Sequence, residues 1–293
     1  MEYQKHFFSG GTPRTITIAL PSDDLTVKYP AVILCHGHSR HKNDGLDALS
    51  QVLTGAGFVT ARFDFRGCCD GYDQRYILNC ATDWPEDLMN AISYIGTLPF
   101  IDKDRIGAAG ISMGAATSVY VSGMDERIKS TVSMGGIGDC FTWMRGVWEK
   151  SGGRFDDFLA RLDRDRELTA VTGHSQVIHS LDMYNGTEED KRNLLIEGFL
   201  NSDVNTYVTL ASLRNMLYYR PLEKCPNIRN PIFFAHGGDD LVVPVEQSRR
   251  MYEAVASGRK QFKEYPGVEH NIPMDPNRML VFEDMKQWFT ETL

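Results

Sequence analysis

Short β-rich runs alternate with longer stretches in which apolar residues recur every three or four positions, and this alternation repeats along much of the chain. Strands are predicted at 15–19, 31–35, 59–65, 105–109, 130–134, 231–235 and 261–265. Two of them, Ala31-Val32-Ile33-Leu34-Cys35 and Ile232-Phe233-Phe234-Ala235, are apolar without a break. Strands covered by helices on both faces read this way, so these two are predicted to lie centrally in a parallel sheet. Between 81 and 98, Asp83 and Glu86 stand at capping-box spacing, Pro85 suits a first helical turn, and Leu88, Met89, Ile92 and Ile95 form an apolar stripe, which predicts a crossover helix. The fold class that follows is α/β.

The alternation stops after Met134. Residues 135–229 hold helix-like, aromatic-rich segments at 155–162, 188–200 and 205–217 before the strand at 231 restores the pattern. A stretch this long carries structure or function of its own. The expected organisation is a core of 1–134 and 230–293 with a helical lid or cap inserted at 135–229; a helical subdomain that only stabilises the sheet edge is the plainer alternative.

Composition narrows the function classes. A chain of 293 residues that is 42% hydrophobic and 24% charged can bury a substantial core, which excludes long disorder. The formal charge of −8 and the lack of a basic run argue against a nucleic-acid partner. No apolar run reaches the roughly 18 residues of a membrane span, and the first residues do not form a secretion signal, so a cytoplasmic protein is expected. Six cysteines (Cys35, Cys68, Cys69, Cys80, Cys140 and Cys225) show neither CxxC nor zinc spacing, and reduced thiols are expected.

The sharpest chemical signal is Gly110-Ile111-Ser112-Met113-Gly114, directly after the predicted strand at 105–109 and before a helix-like run at 115–121. A serine on a tight strand-to-helix turn needs small neighbours, and the following helix aims its first amides at the place where negative charge develops. Ser112 is the candidate nucleophile, and Met113 N–H a candidate oxyanion donor. A serine needs a base, and the base needs a carboxylate to orient it. Asp240, in His236-Gly237-Gly238-Asp239-Asp240 after an apolar strand, is the candidate acid, with Asp239 as its rival and Asp139 a weaker one. His270, in a loop between the last strand and the terminal helix, is the candidate base. The chain order Ser112, Asp240, His270 is the hydrolase order. His36-Gly37-His38-Ser39-Arg40 follows a central strand, so His38 N–H is the second oxyanion candidate. A metal site from His36, His38 and His41 is disfavoured because no carboxylate or cysteine completes it. Arg66 reads as a loop anchor or a substrate contact. Trp143, Trp148, Tyr184, Tyr207, Tyr218 and Tyr219 could line a pocket beneath the lid or fill the core.

These motifs together resemble the α/β-hydrolase superfamily: the turn at His36-Gly37, the elbow at 110–114, His236-Gly237 with Asp240 and Val243-Pro244, and His270. The run from His36 to Asn43 and Asp64-Phe65-Arg66-Gly67 resemble the cinnamoyl or feruloyl esterase-like and acylaminoacyl-peptidase-like branches. The resemblance implies a mostly parallel eight-stranded sheet, an acyl-enzyme on serine and no required cofactor. His38 and Ser39, and the Cys68-Cys69-Asp70 continuation, depart from the usual family loops. The expected function is a serine hydrolase acting on the carboxylic ester of a small acyl substrate. Peptidase, thioesterase or C–C bond hydrolysis by the same machinery, or a non-catalytic ligand-binding protein of this fold, are the alternatives. The oligomeric state, homo-oligomer or monomer, is left open.

Overall fold

The structure is a computed structural model and describes residues 1–68, 79–185 and 207–293. Ten strands occur among these residues: β1 (Glu2–Ser9), β2 (Thr12–Ala19), β3 (Tyr29–Cys35), β4 (Val59–Phe63), β5 (Ile101–Ile111), β6 (Ile128–Met134), β7 (Val177–His179), β8 (Tyr207–Thr209), β9 (Ile232–Gly237) and β10 (Lys260–Tyr265). Eight form one sheet in the order β1-β2-β4-β3-β5-β6-β9-β10. The pairings of β2 with β1 and with β4 are antiparallel, and from β4 through β10 the strands run parallel. Strands β7 and β8 pair with each other, antiparallel, as a separate small sheet.

The unbroken apolar run of β3 is explained by its two faces. Ala31, Ile33 and Cys35 enter the core beneath α2 (Trp84–Ile95) and α3 (Met113–Ser122), while Val32 and Leu34 pack beneath α1 (Leu46–Gly55) and the terminal helix Arg278–Thr292. With a side-chain period of two, a strand sandwiched between helix layers has no solvent face on which to place a polar residue. This is the α/β-hydrolase architecture expected from the motifs.

Three local expectations change. Strand β1 was not among those predicted, because only Phe7 and Ser9 of its eight residues are buried and an edge strand this exposed leaves little hydrophobic pattern. The capping box at Asp83 does not form. A single 3₁₀ turn, Ala81–Asp83, runs straight into α2, so Asp83 already has helix-like backbone angles and its side chain caps nothing. The predicted helix at 205–217 is instead strand β8 followed by a helix, Leu210–Met216, whose first turn is capped by the Thr209 side chain accepting from Ser212 N–H. The helix predicted at 155–162 extends over Phe155–Thr172. The predicted helix at 188–200, the start of that at 205–217, and Cys69 lie outside the described residues. The other five cysteines are free thiols. No helix among the described residues is long and apolar enough to cross a membrane.

Candidate active site

Strand β5 ends at Ile111 and α3 begins at Met113, so Ser112 alone makes the turn. Its backbone has φ 56° and ψ −116°, a conformation that costs a non-glycine residue about 1–3 kcal/mol and survives only where the surroundings enforce it. They do so here. Ser112 N–H donates to Met134 O at 2.9 Å, and Ser112 O accepts from Ala116 N–H at 2.9 Å. The flanking glycines are required by contact: a Cβ on Gly110 would lie 2.3 Å from the Gly114 carbonyl, and one on Gly114 would lie 2.3 Å from both the Cys35 and His36 carbonyl oxygens. Helix α3 thus crosses the end of β3 at backbone-to-backbone distance, which fixes Ser112 at the C-terminal edge of the sheet.

Asp240 and His270 meet at the same edge. In the turn after β9, Asp240 Oδ1 accepts from Val242 N–H (2.9 Å) and Val243 N–H (2.7 Å), and Oδ2 accepts from His270 Nδ1 at 2.7 Å. That bond puts the ring's proton on Nδ1 and leaves Nε2 with a lone pair. Burial alone would raise the Asp240 carboxyl, but the facing His270 ring and hydrogen bonds from His236 and His270 outweigh it and hold the group well below the usual carboxylate range. Gly135, with φ 54°, closes the back of the pair; a Cβ there would be 3.4 Å from Asp240 Oδ2 and 3.5 Å from His270 Nδ1. The two rival carboxylates serve their own turns: Asp239 accepts from Gly267 N–H, and Asp139 caps the helix Cys140–Lys150 by accepting from Thr142 N–H.

Ser112, His270, His38 and Met113 share the wall of one cavity of about 60 Å³. Among the described residues no direct hydrogen bond joins Ser112 Oγ to the His270 ring, and neither the His38 nor the Met113 main-chain N–H has an acceptor. Catalytic hydrogen bonds are commonly loose before substrate arrives. The His36 ring is used structurally: Nε2 accepts from Phe65 N–H, so Nδ1 carries the proton and donates to Gly37 O. His41 pairs with Asp44. Arg66 is a loop anchor, binding buried Asp87 at 2.6 Å and exposed Glu86 at 2.9 Å. Of the aromatic candidates, Trp143 and Tyr184 line the cavity; Trp148 and Tyr219 pack in or against the core; Tyr207 and Tyr218 are exposed.

His236 was read from the sequence only as part of a turn, yet it is a second partner of Asp240. Its Nε2 faces Val243 O (2.9 Å) and Asp240 Oδ2 (3.3 Å), both acceptors, so that nitrogen carries the proton, and Nδ1 accepts from Ser248 Oγ–H at 2.8 Å. The four-residue spacing of His236 and Asp240 across a tight turn was the available signal.

The model of the alpha/beta hydrolase fold family matches residues 30–276. The chain belongs to the α/β-hydrolase family. Over the full length of both proteins this hydrolase is 27% identical to an uncharacterised 31.7 kDa protein from the traX-finO intergenic region of Escherichia coli. It is similar to the hypothetical protein PA2218 of Pseudomonas aeruginosa, with a TM-score of 0.85 and 19% identity, covering 100% of this chain and 94% of that one. Est1E of Butyrivibrio proteoclasticus, solved with ferulic acid bound, gives a TM-score of 0.70 at 17% identity and covers 98% of each chain. At such identities the two structures speak to the fold alone.

Proposed function

We propose that this α/β hydrolase is a serine esterase that cleaves a carboxylic ester through an acyl-enzyme. The observation that carries the reading is the 2.7 Å His270–Asp240 pair facing a cavity whose wall also holds Ser112 in its strained turn. His270 Nε2 takes the Ser112 hydroxyl proton as Oγ attacks the ester carbonyl carbon. The oxyanion that forms accepts from the Met113 and His38 N–H groups, two donors with no acceptor to give up among the described residues. As the intermediate collapses, the C–O bond to the alcohol breaks and His270 returns the proton to the departing oxygen. Water, deprotonated by the same ring, then attacks the acyl-serine and releases the acid. Asp240 stays ionised throughout, orients the ring and stabilises its cationic form. Residues of the 135–229 segment form the cap over the reacting groups, with Trp143 and Tyr184 as its inner surface.

The test is Ser112→Ala assayed with p-nitrophenyl acetate and a fluorophosphonate label. The expected result is at least a roughly 10³-fold loss of kcat and no labelling in a folded protein. Turnover retained by Ser112→Ala would refute the assignment. Wild-type protein that neither turns over nor labels would favour a ligand-binding role.

A further inference from the structure

We infer that the acyl group this site accepts is short and carries a neutral hydrogen-bonding oxygen, a hydroxyl or a ketone, that meets Ser180 and His38 on the cavity wall. The inference rests on the serine-esterase reading of Ser112 and names the substrate class for it.

Ser180 opens a single 3₁₀ turn, Ser180–Met183, directly after β7, and is 2% exposed. Its Oγ is buried and has no hydrogen-bond partner among the described residues, and His38 Nε2 is in the same condition, while the other His38 nitrogen faces Ser39 Oγ at 3.0 Å. Both residues line the cavity that holds Ser112 and His270. A buried hydroxyl without a partner is less favourable than the alanine that would fill the same space, so two such atoms on one wall point to partners that arrive with the ligand.

The charge on that wall selects among polar ligands. Arg40 and Asp44 also line it, but they pair with each other at 3.5 Å. The His38 ring is neutral at pH 7, because burial and the neighbouring His36 push its pKa down to about 4. The wall therefore offers hydrogen bonds without an uncompensated charge, which suits a hydroxyl or ketone better than a carboxylate. Much of the remaining wall is apolar, with Ile137, Trp143, Met183 and Val242, while Ser39, Tyr184 and Asn271 add polar groups to it. A volume of about 60 Å³ is far below the roughly 300–1,000 Å³ of drug-sized pockets, which favours a short acyl chain.

The experiment compares kcat/KM for p-nitrophenyl butanoate, its 2-, 3- and 4-hydroxy and 3-oxo analogues, the succinate monoester and the decanoate, in wild type and Ser180→Ala. A site built to hydrogen-bond a substrate oxygen discriminates against the analogue that lacks it. At least one hydroxy or oxo ester is expected to exceed the butanoate about ten-fold in the wild type, and that ratio to fall toward one in Ser180→Ala. The inference is overturned if the butanoate, succinate or decanoate is the best wild-type substrate, or if the ratio survives in a folded Ser180→Ala protein, which would mean that water satisfies the hydroxyl. If the variant does not fold, the wild-type ratio alone decides. Failure of the esterase reading looks different: no ester turns over and Ser112 takes no fluorophosphonate, and the substrate inference falls with it.

Discussion

A single methyl group at Gly114 tests whether backbone contact between α3 and β3 is what holds Ser112 in place. In Gly114→Ala the new Cβ would begin 2.3 Å from two carbonyl oxygens, those of Cys35 and His36. Reaching ordinary van der Waals contact requires roughly 1 Å of separation, and both sides of the contact are main chain, so no side chain can rotate away. Overpacking of this kind costs about 1–3 kcal/mol where side chains can adjust, and about 3 kcal/mol or more is expected here. A shift of about 1 Å in the elbow should also lower kcat/KM by roughly 10²-fold in whatever protein remains folded. Gly146→Ala is the control. Gly146 lies exposed inside the helix Cys140–Lys150, a Cβ there meets nothing within 4 Å, and the same substitution should stabilise the protein by about 0.5–1 kcal/mol. Urea unfolding measures both signs, and p-nitrophenyl acetate hydrolysis measures the displacement. A Gly114→Ala protein with wild-type midpoint and rate would refute the claim that this contact fixes the nucleophile.

Other consequences can be measured on the same preparations. Asp240→Asn removes the charge that orients His270 and should lower kcat by roughly 10³–10⁴-fold; a loss below about ten-fold would count against its role. The Asp240 carboxyl is held below its unfolded value, so its contribution to stability is complete above the ordinary carboxylate pKa of about 3.9 and is lost as pH falls toward the folded value. Urea midpoints should therefore drop more steeply between pH 5 and pH 2.5 in wild type than in Asp240→Asn. Asp87, fully buried, accepts from Arg66 N–H and its guanidinium and from Ser9 Oγ–H, so Asp87→Ala should cost about 3–5 kcal/mol. Glu86, 57% exposed and bound to the same guanidinium, should cost less than about 1 kcal/mol when changed to alanine.

Much of the architecture was legible because buried strands and amphipathic helices write their periods into the chain. All seven predicted strands lie in the sheet, and the strand-turn-helix setting of Ser112 was visible because a close crossing admits only glycine at 110 and 114. Strand β1 was not legible, since a mostly exposed edge strand pairs through its main chain and leaves no apolar alternation. Choosing Asp240 over Asp239 was a matter of which neighbour faces the ring, and sequence has no register for direction inside a turn. The partnership of His236 with Asp240 left only a four-residue spacing as its trace, and the Ser180 hydroxyl, unpartnered among the described residues, follows a small sheet, β7 with β8, that no local pattern announced.

The segment between β6 and β9 leaves the sheet at Gly135, against the Asp240–His270 pair, and one of its indoles, Trp143, donates to Val242 O in the acid's own loop. Further hydrogen bonds tie the same segment to the core: Gln247 Oε1 accepts from Gly138 and Asp139 N–H, and the Tyr219 hydroxyl donates to Thr117 Oγ1 in α3, so a change in this segment reaches both the acid's loop and the nucleophile's helix.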